Sequence, residues 1–534
     1  MKPPVKNVYS LREGAYYSLP SLADYLAVSY DDVKAFVDYM RNQEVCKTDS
    51  GTDECSFQFV GIVEFETRER ESGGETDRRM VFIEPKFVKH EVSDTQLISD
   101  GFSTEQKIVL KAILKYCKGQ NASMFSSGRL TAVGGCSTRL SRRLALILDV
   151  MENGVYQVPK DEHRINGVGA IAWEETFARI EPVFLQDGPA YVECITRETD
   201  YDDEGYISRL QACLATRCLG YFEEIGLAEP LGLFVGNTYD GEIADFGEMG
   251  CIEARVRSEL NSQFIDVKQQ SLRLMLSVLE LDDSNLGSDL LDFQSFGMSG
   301  FHALWETAIK EVLRDELEKT PASLGFRAES LEIDVRKKLN LPLKKFIDPP
   351  IWIKAETQTK AIPVADESDP LEPDFVATHV KINDVENLVI IDAKYYLPEF
   401  DGGRVRRQPG VGDVDKQLLY QLAYSPLSKV VRNAFVFPGY WGGKNCNQRD
   451  KLQSSHFATV KVPVFSLGKD LPDSFESYMV DGLSLLDRYV NCISDDEQHT
   501  LLKDVICVKS ENGNDDGWTS NAQRCNQESS SRDN

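Results

Sequence analysis

Apolar and polar residues alternate along 57–89 with the two-residue period of β-strands. The stretches 104–118 and 138–152 instead repeat apolar residues every three to four positions, which is the period of a helix. A longer helical pattern covers 256–281, with Phe264 on its expected buried side. The part of the chain before residue 290 is therefore predicted to fold into mixed α+β domains.

Residues 18–46 predict two short helices followed by a strand, an arrangement that resembles a helix-turn-helix with a wing. Asp31, Asp32 and Asp38 stand where a DNA-binding helix would carry Lys or Arg. These helices are therefore interpreted as a structural element or as a contact for a partner protein.

The most informative pattern is an apolar run, Leu388–Ile391, that ends in Asp392-Ala393-Lys394. Its length and β-branched residues predict a buried strand. Side chains alternate between the two faces of a strand, so Asp392 and Lys394 are expected on the same side.

A second strand is predicted to begin at Pro373-Asp374 and to return through a turn at Asn383-Asp384. This hairpin would bring Asp374 close to Asp392. Two carboxylates and a lysine at one sheet edge suit a hard divalent cation and an activated water, which together can hydrolyse a phosphodiester.

A helix is predicted from Phe301 to about Lys319, with Glu306 early in it. The carboxylate of Glu306 is interpreted as the third acid of the site. The alternative is an ordinary surface glutamate that pairs with Lys310, one turn further along the helix.

Another helix is predicted over 415–424, after a glycine-rich loop at 409–413. Gln417 and Gln421 lie one turn apart and are interpreted as groups that hydrogen-bond the attacking water or a DNA phosphate, near a favourable helix N-terminus. Solvent-facing glutamines are the alternative. The candidate DNA-binding residues are Arg404, Arg406, Arg407, Lys416 and Gln421.

The length of 534 residues predicts several domains. We expect an N-terminal helical and β domain at 1–95, a middle α+β domain at 96–290, an α/β domain at 291–507 and a disordered polar tail at 508–534. Twelve scattered cysteines without CxxC spacing indicate free thiols. Neither a membrane span nor a secretory signal is expected, so the protein is predicted to be cytoplasmic.

The net charge of −27, from 59 basic and 86 acidic residues, opposes DNA binding through the overall field of the chain. Either a local basic strip contacts DNA, or a partner supplies the affinity. Candidate strips are Arg336-Lys337-Lys338 with Lys344-Lys345, and the three arginines at 404–407.

The ordered set of helical Glu306, Asp374, Asp392-Ala393-Lys394 and the Gln417 helix resembles the PD-(D/E)xK nuclease superfamily. A narrower resemblance is to LlaJI-type restriction endonuclease subunits, which are similar to McrC. It is carried by Trp305-Glu306, Pro373-Asp374-Phe375, Ile391-Asp392-Ala393-Lys394-Tyr395-Tyr396 and residues 409–417.

This resemblance implies a mixed-sheet α/β nuclease core and DNA as the substrate. The implied cofactor is Mg²⁺, with Mn²⁺ able to substitute. The implied partners are a McrB-like AAA+ GTPase, which recognises and moves on DNA, and a DNA methyltransferase of the same restriction system.

In the mechanism expected from these residues, Asp374 and Asp392 bind Mg²⁺, with the carbonyl of Ala393 as a further ligand. Glu306 holds a metal-bound water or a second ion. Lys394 orients or deprotonates the attacking water and offsets phosphate charge. Two alternatives stay open: a repair or recombination nuclease that needs no motor, and a catalytically inactive scaffold. The chain has no GxxxxGK[ST] motif, so nucleotide hydrolysis is assigned to another protein.

Overall fold

The structure is a computed structural model that describes a large part of the chain in separate ranges. These ranges are 8–48, 53–70, 76–89, 101–120, 139–186, 188–202, 205–236, 238–283, 293–348, 352–353, 360–361, 371–382, 385–428, 430–441, 452–462 and 474–506. The predicted tail at 508–534 lies outside them. Within these ranges, no helix combines the length and apolar character that a membrane crossing requires. The chain divides into two compact units, Met1–Leu304 and Trp305–Asn534.

The first unit mixes short sheets with helices. Its strands are β1 (Val8–Arg12), β2 (Tyr16–Ser18), β3 (Cys46–Thr48), β4 (Glu54–Phe57), β5 (Val60–Arg70), β6 (Thr76–Glu84), β7 (Val158–Ile165), β8 (Ala170–Ile171), β9 (Val183–Leu185), β10 (Gly188–Ala190), β11 (Ile195–Asp202) and β12 (Phe293–Met298). Its helices are α1 (Leu19–Leu26), α2 (Tyr30–Asn42), α3 (Thr104–Gln120), α4 (Arg139–Asn153), α5 (Trp173–Arg179), α6 (Tyr206–Glu224), α7 (Ala228–Leu231), α8 (Met249–Ser262) and α9 (Asp266–Asp283). The strands predicted within 57–89 and the helices predicted at 104–118 and 138–152 are thereby confirmed.

A small sheet of order β2-β4-β3 accompanies the N-terminal helix pair. β2 precedes the helices, whereas β3 and β4 follow them, and β3 begins at Cys46, where the predicted wing was placed. Ser18 and Ser29 cap the two helices by accepting hydrogen bonds from backbone N–H groups. Strand β12 lies far along the chain, yet it pairs with β5 in the sheet β1-β6-β5-β12. Residues 293–298 therefore belong to the first unit, which corrects the predicted start of the last domain at 291.

The single helix predicted over 256–281 is two helices, α8 and α9. Gln263 between them is extended, with φ −89° and ψ 136°. Its side-chain oxygen accepts hydrogen bonds from the backbone N–H groups of Phe264 and Ile265, at 3.1 and 3.2 Å. A local side-chain bond thus replaces a helical turn. Phe264 is 90% exposed instead of buried.

The second unit is an α/β arrangement around a mixed sheet, which agrees with the predicted fold class. Its strands are β13 (Trp352–Ile353), β14 (Lys360–Ala361), β15 (Phe375–Ile382), β16 (Val385–Ala393), β17 (Glu399–Asp401), β18 (Arg404–Arg406), β19 (Val431–Gly439), β20 (Ser454–Lys461) and β21 (Ser474–Asp481). Its helices, beginning with the one in which the two units divide, are α10 (Phe301–Leu313), α11 (Ile333–Arg336), α12 (Val411–Tyr424), α13 (Gly482–Asn491) and α14 (Asp495–Ile506).

The five-stranded sheet has the order β15-β16-β19-β21-β20. β15 and β16 form the predicted antiparallel hairpin, whereas β16, β19 and β21 run parallel. Two parallel neighbours need a crossover connection, and α12 lies between β16 and β19 in the chain.

Helix α12 covers the sheet face that carries the even-numbered residues of β16. Tyr420 and Tyr424 belong to the same buried cluster as Val376 and Ile390. Burying one such large side chain contributes about 1.5–3 kcal/mol. This cluster therefore holds the helix and the hairpin together, and it lies on the face to which Asp392 belongs.

Two acids fix the edge strand β15. Helix α10 ends at Leu313 and not near Lys319, because Arg314 takes a left-handed φ of 66°. The Asp315 carboxylate then accepts a hydrogen bond from the N–H of Val376 at 2.9 Å. The buried Glu316 carboxylate accepts from the N–H and the hydroxyl of Thr378 at 2.8 and 2.7 Å.

Replacing Glu316 with Ala removes the acceptor for both donors of Thr378. A buried donor left unsatisfied costs about 1–3 kcal/mol, so Glu316→Ala should loosen β15. We expect faster hydrogen exchange in 371–382, measured by mass spectrometry. The matched control is Glu318→Ala, whose exposed pair with Lys344 contributes about 0–1 kcal/mol. Equal exchange in the two variants would contradict this role of Glu316.

Candidate active site

Two carboxylates meet across the hairpin of β15 and β16. The register pairs Phe375 with Ile391, which sets Asp374 opposite Asp392 on one face of the sheet. Oδ2 of Asp374 also accepts a hydrogen bond from the backbone N–H of Ala393 at 2.8 Å. The structure therefore brings together the two acids that the hairpin was expected to join.

Asp392 is only 5% exposed. Burial raises the pKa of its carboxyl group to about 8, with further contributions from the hydrogen bond and the repulsion of Asp374. Two neighbouring carboxylates in a poorly hydrated place repel each other when both are charged, and a bound cation relieves this repulsion. Without a metal, Asp392 therefore keeps its proton to a higher pH than an ordinary aspartic acid.

Glu306 adds a third acid to this neighbourhood. It is partly buried on α10. Burial raises its pKa to about 7, and the negative charge of Asp374 contributes to the rise, while Lys310 and Lys394 oppose it. The sequence analysis expected Glu306 near the two aspartates, and the effect of Asp374 on its pKa agrees with that expectation.

Lys394 lies between two carboxylates. Its Nζ is 3.2 Å from Oδ2 of Asp392 and 3.1 Å from Oδ1 of Asp413. Burial alone would lower the pKa of Lys394, but these two carboxylates raise it above its ordinary value. Lys394 is therefore an ammonium cation at neutral pH. This cation can offset the negative charge of the neighbouring carboxylates, and the expected role of Lys394 toward the attacking water stays a prediction.

Asp413 is a site residue that the sequence interpretation missed. It lies in the first turn of α12, and its Oδ2 accepts a hydrogen bond from the N–H of Gly410 at 3.1 Å. The sequence does indicate a capping role for Asp413, because it lies three residues after Gly410, which is the spacing of an N-terminal cap. The ion pair with Lys394 depends on tertiary structure and left no local pattern.

Gln417 is fully buried against β19. Its Nε2 donates hydrogen bonds to the Asn433 side chain at 2.5 Å and to the Ala434 carbonyl at 3.0 Å. The Asn433 amide donates in return to the side chain of Gln421 at 3.0 Å. Gln417 therefore fixes α12 on the sheet, and in this placement it has no surface with which to orient a water or contact a phosphate.

The three candidate arginines lie on the hairpin of β17 and β18. Nη2 of Arg406 is 2.6 Å from Asp401 and Nη1 of Arg407 is 3.6 Å from Glu399. Arg404 and Lys416 are exposed. Because two of the arginines pair with acids of the same hairpin, the hairpin presents less positive charge than its sequence suggests.

The second basic strip, at 336–345, also contains lysines that form ion pairs with nearby acids. Lys337 pairs with Asp334 at 2.8 Å, Lys338 with Asp348 at 2.6 Å and Lys344 with Glu318 at 2.6 Å. In the part of the chain that the structure describes, both strips therefore contain cations paired with nearby acids, which reduces their positive charge.

The donor set fits a hard divalent cation. Asp374 and Asp392 supply carboxylate oxygens, which Mg²⁺ and Mn²⁺ prefer, and the repulsion of Asp374 contributes to the raised pKa of Asp392. Within the described ranges, however, no three His, Cys, Asp or Glu side chains stand close enough to hold a metal ion by themselves. Two carboxylates with water are a sufficient protein contribution for Mg²⁺, which keeps several of its waters.

The chain is similar to a known protein family and to a curated relative. Residues 73–324 and 339–467 match the LlaJI restriction endonuclease family. The Type II restriction enzyme BsuMI component YdjA of Bacillus subtilis (strain 168) is 28% identical over 289 residues. That match covers 53% of this chain and 55% of the relative, so the chain spans about half the length of YdjA.

A comparison of folds gives a similarity to the cryo-EM structure of the Thermococcus gammatolerans McrBC complex. The similarity covers 58% of this chain and 88% of the matched chain, with 13% sequence identity and a TM-score of 0.24.

The raised pKa of Asp392 predicts how stability depends on pH. Without metal, the unfolded chain loses this proton near its ordinary value of 3.8, whereas the folded protein keeps it to about 8. The folded state binds more protons between these values, so its stability falls as pH rises from about 4 to 8. In EDTA, we expect the melting temperature of Asp392→Asn to fall less over this range than that of the wild type.

The exposed Asp240 supplies the matched control. Asp240→Asn should keep the pH dependence of the wild type. If Asp392→Asn and Asp240→Asn lose melting temperature in parallel between pH 4 and 8, the buried carboxyl pair does not hold a proton as described.

Proposed function

The chain belongs to the LlaJI restriction endonuclease family, and on that premise we propose that it is the Mg²⁺-dependent DNA-cleaving subunit of a restriction system. The observation that carries the proposal is the meeting of Asp374, Asp392 and Lys394 at the end of one buried hairpin. We further propose that the sheet of the second unit is a PD-(D/E)xK nuclease core.

Asp374 and Asp392 would hold the cation, with the carbonyl oxygen of Ala393 as a further ligand and water in the remaining positions. Glu306 would hold a metal-bound water instead of contacting this cation directly. A bound Mg²⁺ or Mn²⁺ would polarise the phosphate and lower the pKa of a bound water. Glu306 can hydrogen-bond a water and accept its proton, since its pKa of about 7 suits proton transfer at neutral pH.

Lys394 contributes a fixed positive charge. Its ammonium group is held by two carboxylates and remains protonated, so it can donate a hydrogen bond to a phosphate oxygen. A preorganised cation of this kind stabilises charge that develops on the phosphate during cleavage. This assigns the attacking water to Glu306 and the phosphate to Lys394.

The charge of the chain supports a role for partners. A net charge of −27 and locally paired arginines and lysines leave little attraction for DNA. The curated relative is itself named a component of a restriction enzyme. We propose that a McrB-like AAA+ GTPase delivers the DNA and that a methyltransferase completes the system.

A surface of the first unit supports contact with another protein. The rings of Trp173, Phe177 and Tyr191 form a row, with centroids 5.5 and 5.1 Å apart. Large apolar side chains that are mostly exposed lie in the same part of the chain. They are Ile165, Val168, Phe177, Phe184, Leu185 and Val192. Concentrated apolar exposure marks interaction sites, and we assign this one to the GTPase.

Cleavage of DNA in Mg²⁺ tests the site residues. We expect Asp392→Ala and Lys394→Ala each to lower the cleavage rate by roughly 10²-fold or more, since both remove groups that stabilise charge at the reacting phosphate. The exposed Lys381 of β15 provides the matched control, and Lys381→Ala should cleave like the wild type. Unchanged cleavage by both site variants would reject the assignment of these residues, whereas no cleavage by the wild type even with its partner would favour the inactive scaffold.

The partner proposal has a separate test. Cleavage by the wild-type chain should be weak alone and should rise at least about tenfold when a McrB-like AAA+ GTPase of the same restriction system is added with GTP, because the motor would supply the missing DNA affinity. Phe184→Ser should reduce this stimulation, whereas Phe264→Ser, at an exposed phenylalanine outside the apolar surface, should not. Full activity without the GTPase would favour a motor-independent repair or recombination nuclease.

A further inference from the structure

Asp413 uses its two carboxylate oxygens for two different purposes. Oδ2 accepts the hydrogen bond from the N–H of Gly410 and so caps the start of α12. Oδ1 lies 3.1 Å from Nζ of Lys394. The side chain of Asp413 is 29% exposed, so this ion pair is partly shielded from water. One carboxylate thereby joins the N-terminus of α12 to the lysine of the site.

Two carboxylates lie within ion-pair distance of Lys394. Its ammonium group has three N–H donors, and Asp392 and Asp413 lie on its two sides at 3.2 and 3.1 Å. Without Asp413, Asp392 would be the remaining ion-pair partner of Lys394 among the described residues. Asp392 would then be bound more tightly by its own lysine, which would compete with a divalent cation for the same oxygens.

We propose that Asp413 is a positioning residue that shares the Lys394 ammonium group with Asp392, weakens the hold of Lys394 on Asp392, and so keeps Asp392 available to a divalent cation. This inference rests on the proposed function, because it assumes that Asp392 is a metal ligand. Asp413 is well placed for this role, because the capped helix start fixes its carboxylate and the burial of Tyr420 and Tyr424 fixes the helix on the sheet.

A double-mutant cycle on the full chain tests the proposal, with Mn²⁺ binding measured by calorimetry. The variants are Asp413→Asn, Lys394→Met and the two together. Asn keeps an oxygen that can accept from Gly410, so the helix cap survives while the charge that attracts Lys394 is lost. We expect Asp413→Asn to weaken Mn²⁺ binding roughly tenfold, as outer partners of metal ligands do.

The same substitution should have little effect in the Lys394→Met background, with a change of less than about twofold, because no lysine is left to move onto Asp392. An equal loss in both backgrounds would overturn the proposal, since Asp413 would then act through its own charge or through the helix. Unchanged binding in Asp413→Asn would overturn it as well.

Asp415→Asn, two residues further along α12, is the matched control and should bind Mn²⁺ like the wild type. The variant Asp392→Asn distinguishes the proposed metal site from the proposed role of Asp413. If the wild type binds no Mn²⁺, or binds it as well without the Asp392 carboxylate, the metal site of the proposed function is wrong and this inference is overturned with it. If only the Asp413 cycle fails, the metal site stands.

Discussion

The site of the second unit depends on one register, the pairing of Phe375 with Ile391 across β15 and β16. A slip by one residue would turn Asp392 and Lys394 to the opposite face of the sheet. The register is fixed below the site, where Val376 and Ile390 share a buried cluster with the tyrosines of α12. The hydrophobic contacts therefore set the distance between the carboxylates, although they take no part in the chemistry.

The pairing of β15 with β16 also brings two negative charges close together, and nearby groups of the chain compensate them. Asp374 and Asp392 repel each other, and the chain offsets that repulsion with Lys394 and the N–H of Ala393. Elsewhere in the second unit, several cations are paired with acids close to them, as in the hairpin of β17 and β18. Lys394 is the cation that the structure sets among the carboxylates of the site. For the proposed nuclease, the net charge of −27 favours chemistry at a delivered phosphate over capture of DNA from solution.

Much of this unit follows from short patterns in the sequence. The apolar run before Asp392 specified β16, and the spacing from Pro373 to Asp392 specified the hairpin, because both depend on neighbours in the chain. The expectations that failed depend on contacts between distant residues. The amide of Asn433 and the backbone of Ala434 draw Gln417 into the core, and the distant strand β5 takes 293–298 into the first unit. The break of the long helix at Gln263 is local, but an extended glutamine has no distinctive pattern.

Raised pKa values alone do not distinguish acids of the candidate site from acids that hold the strands in place. Burial raises the pKa of Asp315 to about 6 and that of Glu306 to about 7, so the two acids look alike by this measure. Their partners differ. Asp315 accepts hydrogen bonds from the backbone N–H groups of Val376 and Leu317, which satisfy it within the fold. Glu306 instead faces the charge of Asp374, as Asp392 does, and like charges gathered without sufficient backbone donors favour an added cation. The hydrogen bonds of Asp315 therefore hold the strand in place, whereas Glu306 and Asp392 are distinguished by the negative charge of Asp374 beside them and belong to the candidate site.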